Sequence, residues 1–222
     1  MTLDQPVALG TLIGRGYYRL CRRVVSVPVR VITRVRYFNV PDIGAFDGGL
    51  LIASNHQSFF DPVLVGMALA EPICYLARRS LFRVPGLGAL LRSIRVHPVA
   101  RGAGASAGMR TAMELLRRGE ALVMFPEGTR SPDGSLGPFK RGVAALAIRC
   151  GVPVLPVCVE GAYECWPRTR SLPRPGRVGL AFGDVLRPEG GDARQLTLRL
   201  RAEIQKLRAL LRERLDVHRD EM

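Results

Sequence analysis

His56 and Asp61 stand five residues apart in Asn55-His56-Gln57-Ser58-Phe59-Phe60-Asp61-Pro62. A carboxylate on one imidazole nitrogen fixes the ring tautomer and stabilises the cation formed when the other nitrogen takes a proton. That is a general base able to activate an alcohol. On a regular helix this spacing sets the two side chains roughly 140° apart, so the pair needs a turn. Asp61 before Pro62 reads as a helix N-cap followed by the first helical residue. One carboxylate oxygen would then take a backbone N–H and the other the imidazole. A capping Asp beside an unrelated histidine fits the same residues. His97 and His218 are the only other histidines, and neither has useful zinc-ligand spacing.

About seventy residues on, Phe125-Pro126-Glu127-Gly128-Thr129-Arg130-Ser131 follows the apolar run Ala121-Leu122-Val123-Met124. Pro126 ends strand pairing and Gly128 permits a tight turn. Arg130 can fork onto phosphate oxygens, with Thr129, Ser131 and backbone N–H groups supplementing it. Glu127 is unexpected in an anion site; it either binds a substrate hydroxyl or anchors the loop on an arginine. A turn with an exposed arginine accounts for the same letters. Arg78, Arg79, Arg101, Lys140 and Arg141 are further candidates for anion contact, each also readable as solvated surface charge.

The elements that must position these residues alternate. Strands are predicted at 50–54, 72–77, 94–99, 121–125, 152–159 and 177–182. Helices are predicted at 62–69, 85–93, 105–118, 140–150 and 193–214, with Gly119 and Gly151 as stop signals. This order implies an α/β fold with a largely parallel central sheet flanked by helices. At 222 residues, 47 % hydrophobic, the chain holds one full core. Residues 166–176 form a Pro/Arg-rich loop inside it.

Residues 6–36 read as amphipathic helix broken or kinked at Pro28, which cannot donate its hydrogen bond. Arg15, Arg19, Arg22, Arg23, Arg30, Arg34 and Arg36 fall within about 160° of arc, and the apolar residues lie mainly opposite. Such a helix suits a lipid interface with arginines among headgroups. A helix packed on the domain with a solvated arginine face is the alternative. The division expected is therefore 1–36 as membrane-interface helices and 37–222 as the α/β domain. No stretch of about 18 apolar residues lacks charge, so the chain is expected to lie on a membrane, on its cytoplasmic side, rather than cross it. Cys21, Cys74, Cys150, Cys158 and Cys165 are odd in number and scattered, as free thiols in a reducing compartment would be.

The net charge is +14, and of 33 basic residues only Lys140 and Lys206 are lysine. A surface this basic attracts phosphates, from nucleic acid, anionic lipid or an acidic acyl donor. Aromatics at 6 % and the lack of a DNA-reading motif argue against nucleic acid. A catalytically inert membrane module is argued against by the intact His56 and Asp61.

At this point the blocks together resemble a known family. Asn55 to Pro62 resembles the NHxxxxD block of the glycerolipid acyltransferases, most closely bacterial 1-acylglycerol-3-phosphate acyltransferases. Phe125 to Ser131 resembles their FPEGTRS block. Arg95-Val96-His97-Pro98-Val99-Ala100-Arg101 is similar to their middle block, and Val152-Pro153-Val154-Leu155-Pro156-Val157 to their VPxxP element. The resemblance covers roughly residues 35–185. It implies His56 as general base, with Asp61 orienting it. It implies Glu127, Gly128, Thr129 and Arg130 in the acceptor site, with Arg130 and Arg101 on the phosphate of lysophosphatidate. Pro156 is implied in an apolar wall for the acyl donor. The implied co-substrate is acyl-CoA or acyl carrier protein, with no cofactor and no metal. The implied reaction is acylation of the 2-hydroxyl of lysophosphatidate to phosphatidate; another lysolipid acceptor is the alternative. Two positions depart from the pattern: Ala100 stands where an acidic residue is usual, and Arg78 where many members have lysine.

Overall fold

A computed structural model describes residues 12–99 and 104–216. Seven strands build one sheet: β1 (Arg36–Phe38), β2 (Leu50–Ser54), β3 (Cys74–Arg78), β4 (Val96–Val99), β5 (Ala121–Met124), β6 (Val154–Glu160) and β7 (Gly179–Phe182). Their spatial order is β1-β7-β6-β2-β5-β3-β4. Five neighbours, β6 to β4, run parallel; β7 pairs antiparallel to β6, and β1 runs with β7. The expected largely parallel sheet is what forms.

Parallel strands are covered on both faces, and β2 shows it: all five of its residues are buried. Leu51 and Ala53 point to one face, Leu50 and Ile52 to the other. The first face packs against α4 (Gly104–Arg117), α5 (Gly142–Cys150) and α7 (Ala193–Asp216), through Leu116, Leu146, Leu200 and Ile204 among others. The second packs against α1 (Leu12–Thr33), α2 (Asp61–Ala68) and the short α6 (Ala162–Cys165), through Val29, Leu64, Val65 and Ala162. The remaining helix, α3 (Leu87–Ser93), joins β3 to β4. The strand register sets Ser54 beside Val157 and Ala53 beside Met124, so β2, β5 and β6 end together at one edge.

The N-terminal region differs from expectation in three ways. Pro28 lies inside one continuous helix, with Ser26 Oγ donating to Arg22 O and Thr33 Oγ1 to Val29 O around it. The helix stops at Thr33, and Arg34 takes φ +41°. Arg36 then enters β1, so a domain boundary at 36 falls inside a strand. Arg36 N donates to Val178 O at 2.9 Å and Val178 N to Thr33 O at 3.0 Å, long-range pairings that local helical periodicity cannot foresee.

The apolar residues of α1 also divide. Val29 is buried, and Val25 and Ile32 pack on the same core. Leu20, Val24, Val27 and Val31 form a separate stripe, 60–71 % exposed. Arg23, Arg30 and Arg34 are exposed beside it, while Arg22 Nη1 donates to Leu69 O. Leu9 lies outside the described residues, as does the start of the predicted helix.

Candidate active site

Asn55 leaves β2 buried, where its side chain acts as an extra rung of sheet. Nδ2 donates to Val159 O and Oδ1 accepts from Val159 N, both at 2.8 Å. This pair of hydrogen bonds ties the end of β2 to β6 and launches the turn that follows. His56 Nδ1 meets Asp61 Oδ2 at 2.8 Å, so the two residues paired from their spacing do touch. The facing carboxylate accepts a hydrogen bond from Nδ1–H, leaving Nε2 as the ring nitrogen open to a substrate. The imidazole is 18 % exposed, and Asp61 is fully buried.

The capping geometry differs from expectation. Asp61 is the first residue of α2, Phe60 holds the N-cap position, and no side chain caps the helix. Asp61 Oδ2 accepts from Gln57 N at 2.6 Å and Ser58 N at 2.7 Å as well as from the imidazole. One oxygen therefore gathers three donors, while Oδ1 has no hydrogen-bond partner among the described residues. The turn runs so tightly that the amides upstream of the helix, not those inside it, converge on the carboxylate. Ser58 Oγ is buried and donates to Trp166 O at 2.9 Å, so it is a turn-holding hydroxyl.

The second segment wraps the first. Phe125 stacks on the His56 ring with centroids 4.0 Å apart and planes 18° apart. Glu127 is buried and, among the described residues, takes no arginine. Its Oε1 accepts from His56 N at 2.9 Å and its Oε2 from Gly137 N at 3.1 Å. Both oxygens hold backbone, where an arginine anchor was expected. Burial pushes the pKa of Glu127 up, against those two amide bonds. Ser131 N donates to His56 O at 2.7 Å. Gly128 sits at φ +72°, which favours glycine; a Cβ there would meet only the movable end of Lys140, with Nζ at 2.9 Å.

Arg130 crosses to the first segment. Its guanidinium lies 3.5 Å from the centroid of the Phe59 ring, and its buried Nη1 has no hydrogen-bond partner among the described residues. Burial holds Arg130 below the usual arginine range; Asp61 opposes that, while the charges of Arg168 and Arg78 add to it. Three guanidiniums thus share one region, an arrangement that an anion would relieve. Thr129 is exposed beside Arg130.

Two other expected positions fall elsewhere. Arg101 lies outside the described residues. Pro156 is buried in β6 beside Ala53, and its carbonyl accepts from Gly183 N at 2.9 Å. Its missing N–H falls where the β6–β7 ladder ends, which explains a proline in a central strand. Buried there, its ring offers no open wall to an acyl donor. The aromatic contacts of Phe59, Phe125 and Trp166, and the charge of Arg168, were not singled out from the sequence. Phe59 and Phe125 stand inside the quoted segments, so proximity to His56 and Arg130 was the available signal.

Cysteine chemistry is disfavoured. Burial pushes the thiol of Cys165 up to about 11 and that of Cys74 to about 12. Among the described residues no three His, Cys, Asp or Glu side chains gather as metal ligands would.

The α/β fold thus sets a histidine paired with a carboxylate, and Arg130 seated on Phe59, just beyond the ends of parallel strands. The Acyltransferase family model matches residues 31–160, and the chain belongs to that family. A 1-acyl-sn-glycerol-3-phosphate acyltransferase of Pseudomonas aeruginosa is 32 % identical over 192 residues, covering 82 % of this chain and 72 % of the relative. A chloroplastic 1-acyl-sn-glycerol-3-phosphate acyltransferase of Brassica napus is 35 % identical over 123 residues, covering 54 % of this chain and only 36 % of that protein. The crystal structure of the 1-acyl-sn-glycerophosphate (LPA) acyltransferase of Thermotoga maritima superposes with a TM-score of 0.74 at 28 % identity, covering 87 % of this chain and 77 % of that one.

Proposed function

We propose that this protein transfers a fatty acyl group from an acyl thioester to the 2-hydroxyl of lysophosphatidate, giving phosphatidate. The observation that carries the reading is the His56 imidazole, bonded to Asp61 through Nδ1, in a site that includes Arg130, whose buried Nη1 has no partner among the described residues. The names of the relatives supply the acceptor. His56 Nε2 takes the proton of the hydroxyl as its oxygen attacks the thioester carbonyl. The C–S bond of the tetrahedral intermediate breaks, and the imidazolium returns the proton to the leaving thiolate. Acyl-CoA and acyl carrier protein are both suitable donors, and no cofactor or metal enters the scheme. The purified protein, given lysophosphatidate and either thioester, is expected to form phosphatidate detectable by mass. Product from another lysolipid but none from lysophosphatidate would overturn the acceptor.

Arg130 binds the acceptor phosphate in this reading, with Thr129 and the turn at Gly128 beside it. A charge-assisted bond contributes about 1.5–3 kcal/mol. Arg130→Ala is therefore expected to raise the acceptor KM at least about tenfold and leave the donor KM within about twofold. Steady-state kinetics with each substrate varied in turn checks both, and an unchanged acceptor KM removes the assignment.

The enzyme works from the cytoplasmic surface of an anionic membrane, held by α1. No described helix is long and apolar enough to cross a bilayer. The exposed stripe of Leu20, Val24, Val27 and Val31, with arginines beside it, supports an interfacial contact. Deleting residues 1–30 would also remove Val29 from the core, so substitution is the cleaner probe. Val24→Glu, Val27→Glu and Val31→Glu combined should weaken sedimentation with anionic vesicles at least about tenfold, since each valine forfeits about 1.5 kcal/mol of apolar burial. The Tm should hold; wild-type sedimentation would exclude the stripe as the anchor.

A further inference from the structure

The family match ends at residue 160, yet α7, well beyond it, reaches the loop that holds the His56 turn. Arg201 and Arg208 are seven residues apart on α7, about two turns, so they share a face. Arg208 Nη2 donates to Gly134 O and Arg201 Nη1 to Gly137 O, each at 2.6 Å. Arg208 Nε also donates to Glu160 Oε2 at 2.8 Å, and Arg212 Nε to Glu160 Oε1 at 2.8 Å. The carbonyls of Gly134 and Gly137 belong to the loop after Arg130, and that loop holds the His56 turn from both sides. On one side Gln57 Nε2 donates to Gly134 O and to Glu160 Oε2, both at 3.1 Å. On the other, Gly137 N binds the carboxylate of Glu127, whose second oxygen binds His56 N.

A part-buried ion pair is a poor source of stability, because desolvation offsets most of its Coulombic gain. Arg208 is 14 % exposed and Glu160 12 %, so stability alone is a weak reason for them. Direction is a better one. The planar guanidinium fixes two acceptors at once, which a flexible ammonium does not. We propose that Arg208 and Arg201 are positioning residues of the acyl transfer. Through Gly134, Gly137 and Glu160 they set the backbone at Gln57 and Ser58, whose amides hold Asp61 Oδ2 and with it the plane of the imidazole. The C-terminal helix is thus a brace for the catalytic turn. This rests on the reading of His56 as the base.

The test compares Arg208→Ala, Gln57→Met and the double variant in the full-length protein. Gln57→Met keeps the backbone amide and removes only the side-chain bonds to Gly134 and Glu160. Misplacement near 1 Å can cost about a hundredfold. Each single variant is expected to lower kcat about 10- to 100-fold with the acceptor KM within about threefold. The double variant should be within about twofold of the worse single, because both break one linkage. Hydrogen exchange should quicken at the Gln57 and Ser58 amides and not along β2 and β6. A merely structural role would instead speed exchange across the sheet and leave kcat per folded molecule unchanged. Wild-type kcat in Arg208→Ala, additive losses, or unaltered exchange at Gln57 and Ser58 would overturn the brace. Should Arg208→Ala not fold, Gln57→Met carries the same comparison. Wild-type protein that acylates no lysolipid, but whose variants show the local exchange change, would remove the catalytic reading and leave the brace standing.

Discussion

Replacing His56 by alanine is expected to lower kcat by about a thousandfold or more while the protein stays folded. A positioned general base contributes typically 10²–10⁴-fold, and among the described residues no second histidine is placed to replace it, since His97 lies in β4. The fold should tolerate the loss because the backbone of residue 56 is held independently of its ring. His56 N donates to Glu127 and His56 O accepts from Ser131 N. Asp61 Oδ2 keeps the Gln57 and Ser58 amides. The ring itself is partly exposed and forfeits mainly its stack on Phe125, so the cost in stability should be about 1 kcal/mol. Phosphatidate formation measured beside thermal unfolding separates the two effects. Residual turnover above about a tenth would show that another group takes the proton.

Much of the sheet was legible because buried parallel strands announce themselves. Leu50-Leu51-Ile52-Ala53-Ser54 is an unbroken small and apolar run, and it is buried throughout. Helix ends at Gly119 and Gly151 were legible for a local reason too: each takes a positive φ that glycine supplies freely. What was illegible depends on distant partners. Arg36 falls at the end of the helical pattern, yet the edge of β7 offers unpaired backbone and draws residues 36–38 into a strand. The two-sided character of α1 was equally hidden. Its valines look alike in sequence, and only the position of α2 and the sheet decides that Val29 is buried while Val31 is exposed.

The site divides along the same line. His56 and Asp61 are close in the chain, so a turn sufficed to bring them together. Glu127 had no local clue to its role, because its partners are the amides of residue 56 and residue 137. Arg130 was found as a cation, whereas its seat on Phe59 joins segments about seventy residues apart. The contribution of α7 was least legible. Arg201, Arg208 and Arg212 stand among many arginines on an amphipathic helix, and nothing in their spacing separates a brace from a solvated face. Geometry alone distinguishes them, by the carbonyls they reach.

Asp61→Asn should have an effect comparable to that of His56→Ala, by a different route. The substitution is nearly isosteric, but the single oxygen at Oδ2 accepts three hydrogen bonds. If the amide oxygen of Asn occupies that place, the NH₂ group fills the position of Oδ1, which has no partner among the described residues. A buried donor then goes unsatisfied at a cost of about 1–3 kcal/mol, and the negative charge that steadies the imidazolium is gone. If the amide turns over, its NH₂ faces three donors, and the imidazole must present Nδ1 as an acceptor. The proton then sits on Nε2, where the substrate hydroxyl needs a lone pair. Either orientation disables the base, so kcat should fall on the order of 10³-fold with the acceptor KM within about threefold. The double variant with His56→Ala supplies the sharper measurement. Two residues that act as one unit do not add, so it should be no slower than His56→Ala alone. A further tenfold loss in the double variant would mean that Asp61 serves the reaction somewhere other than through the imidazole.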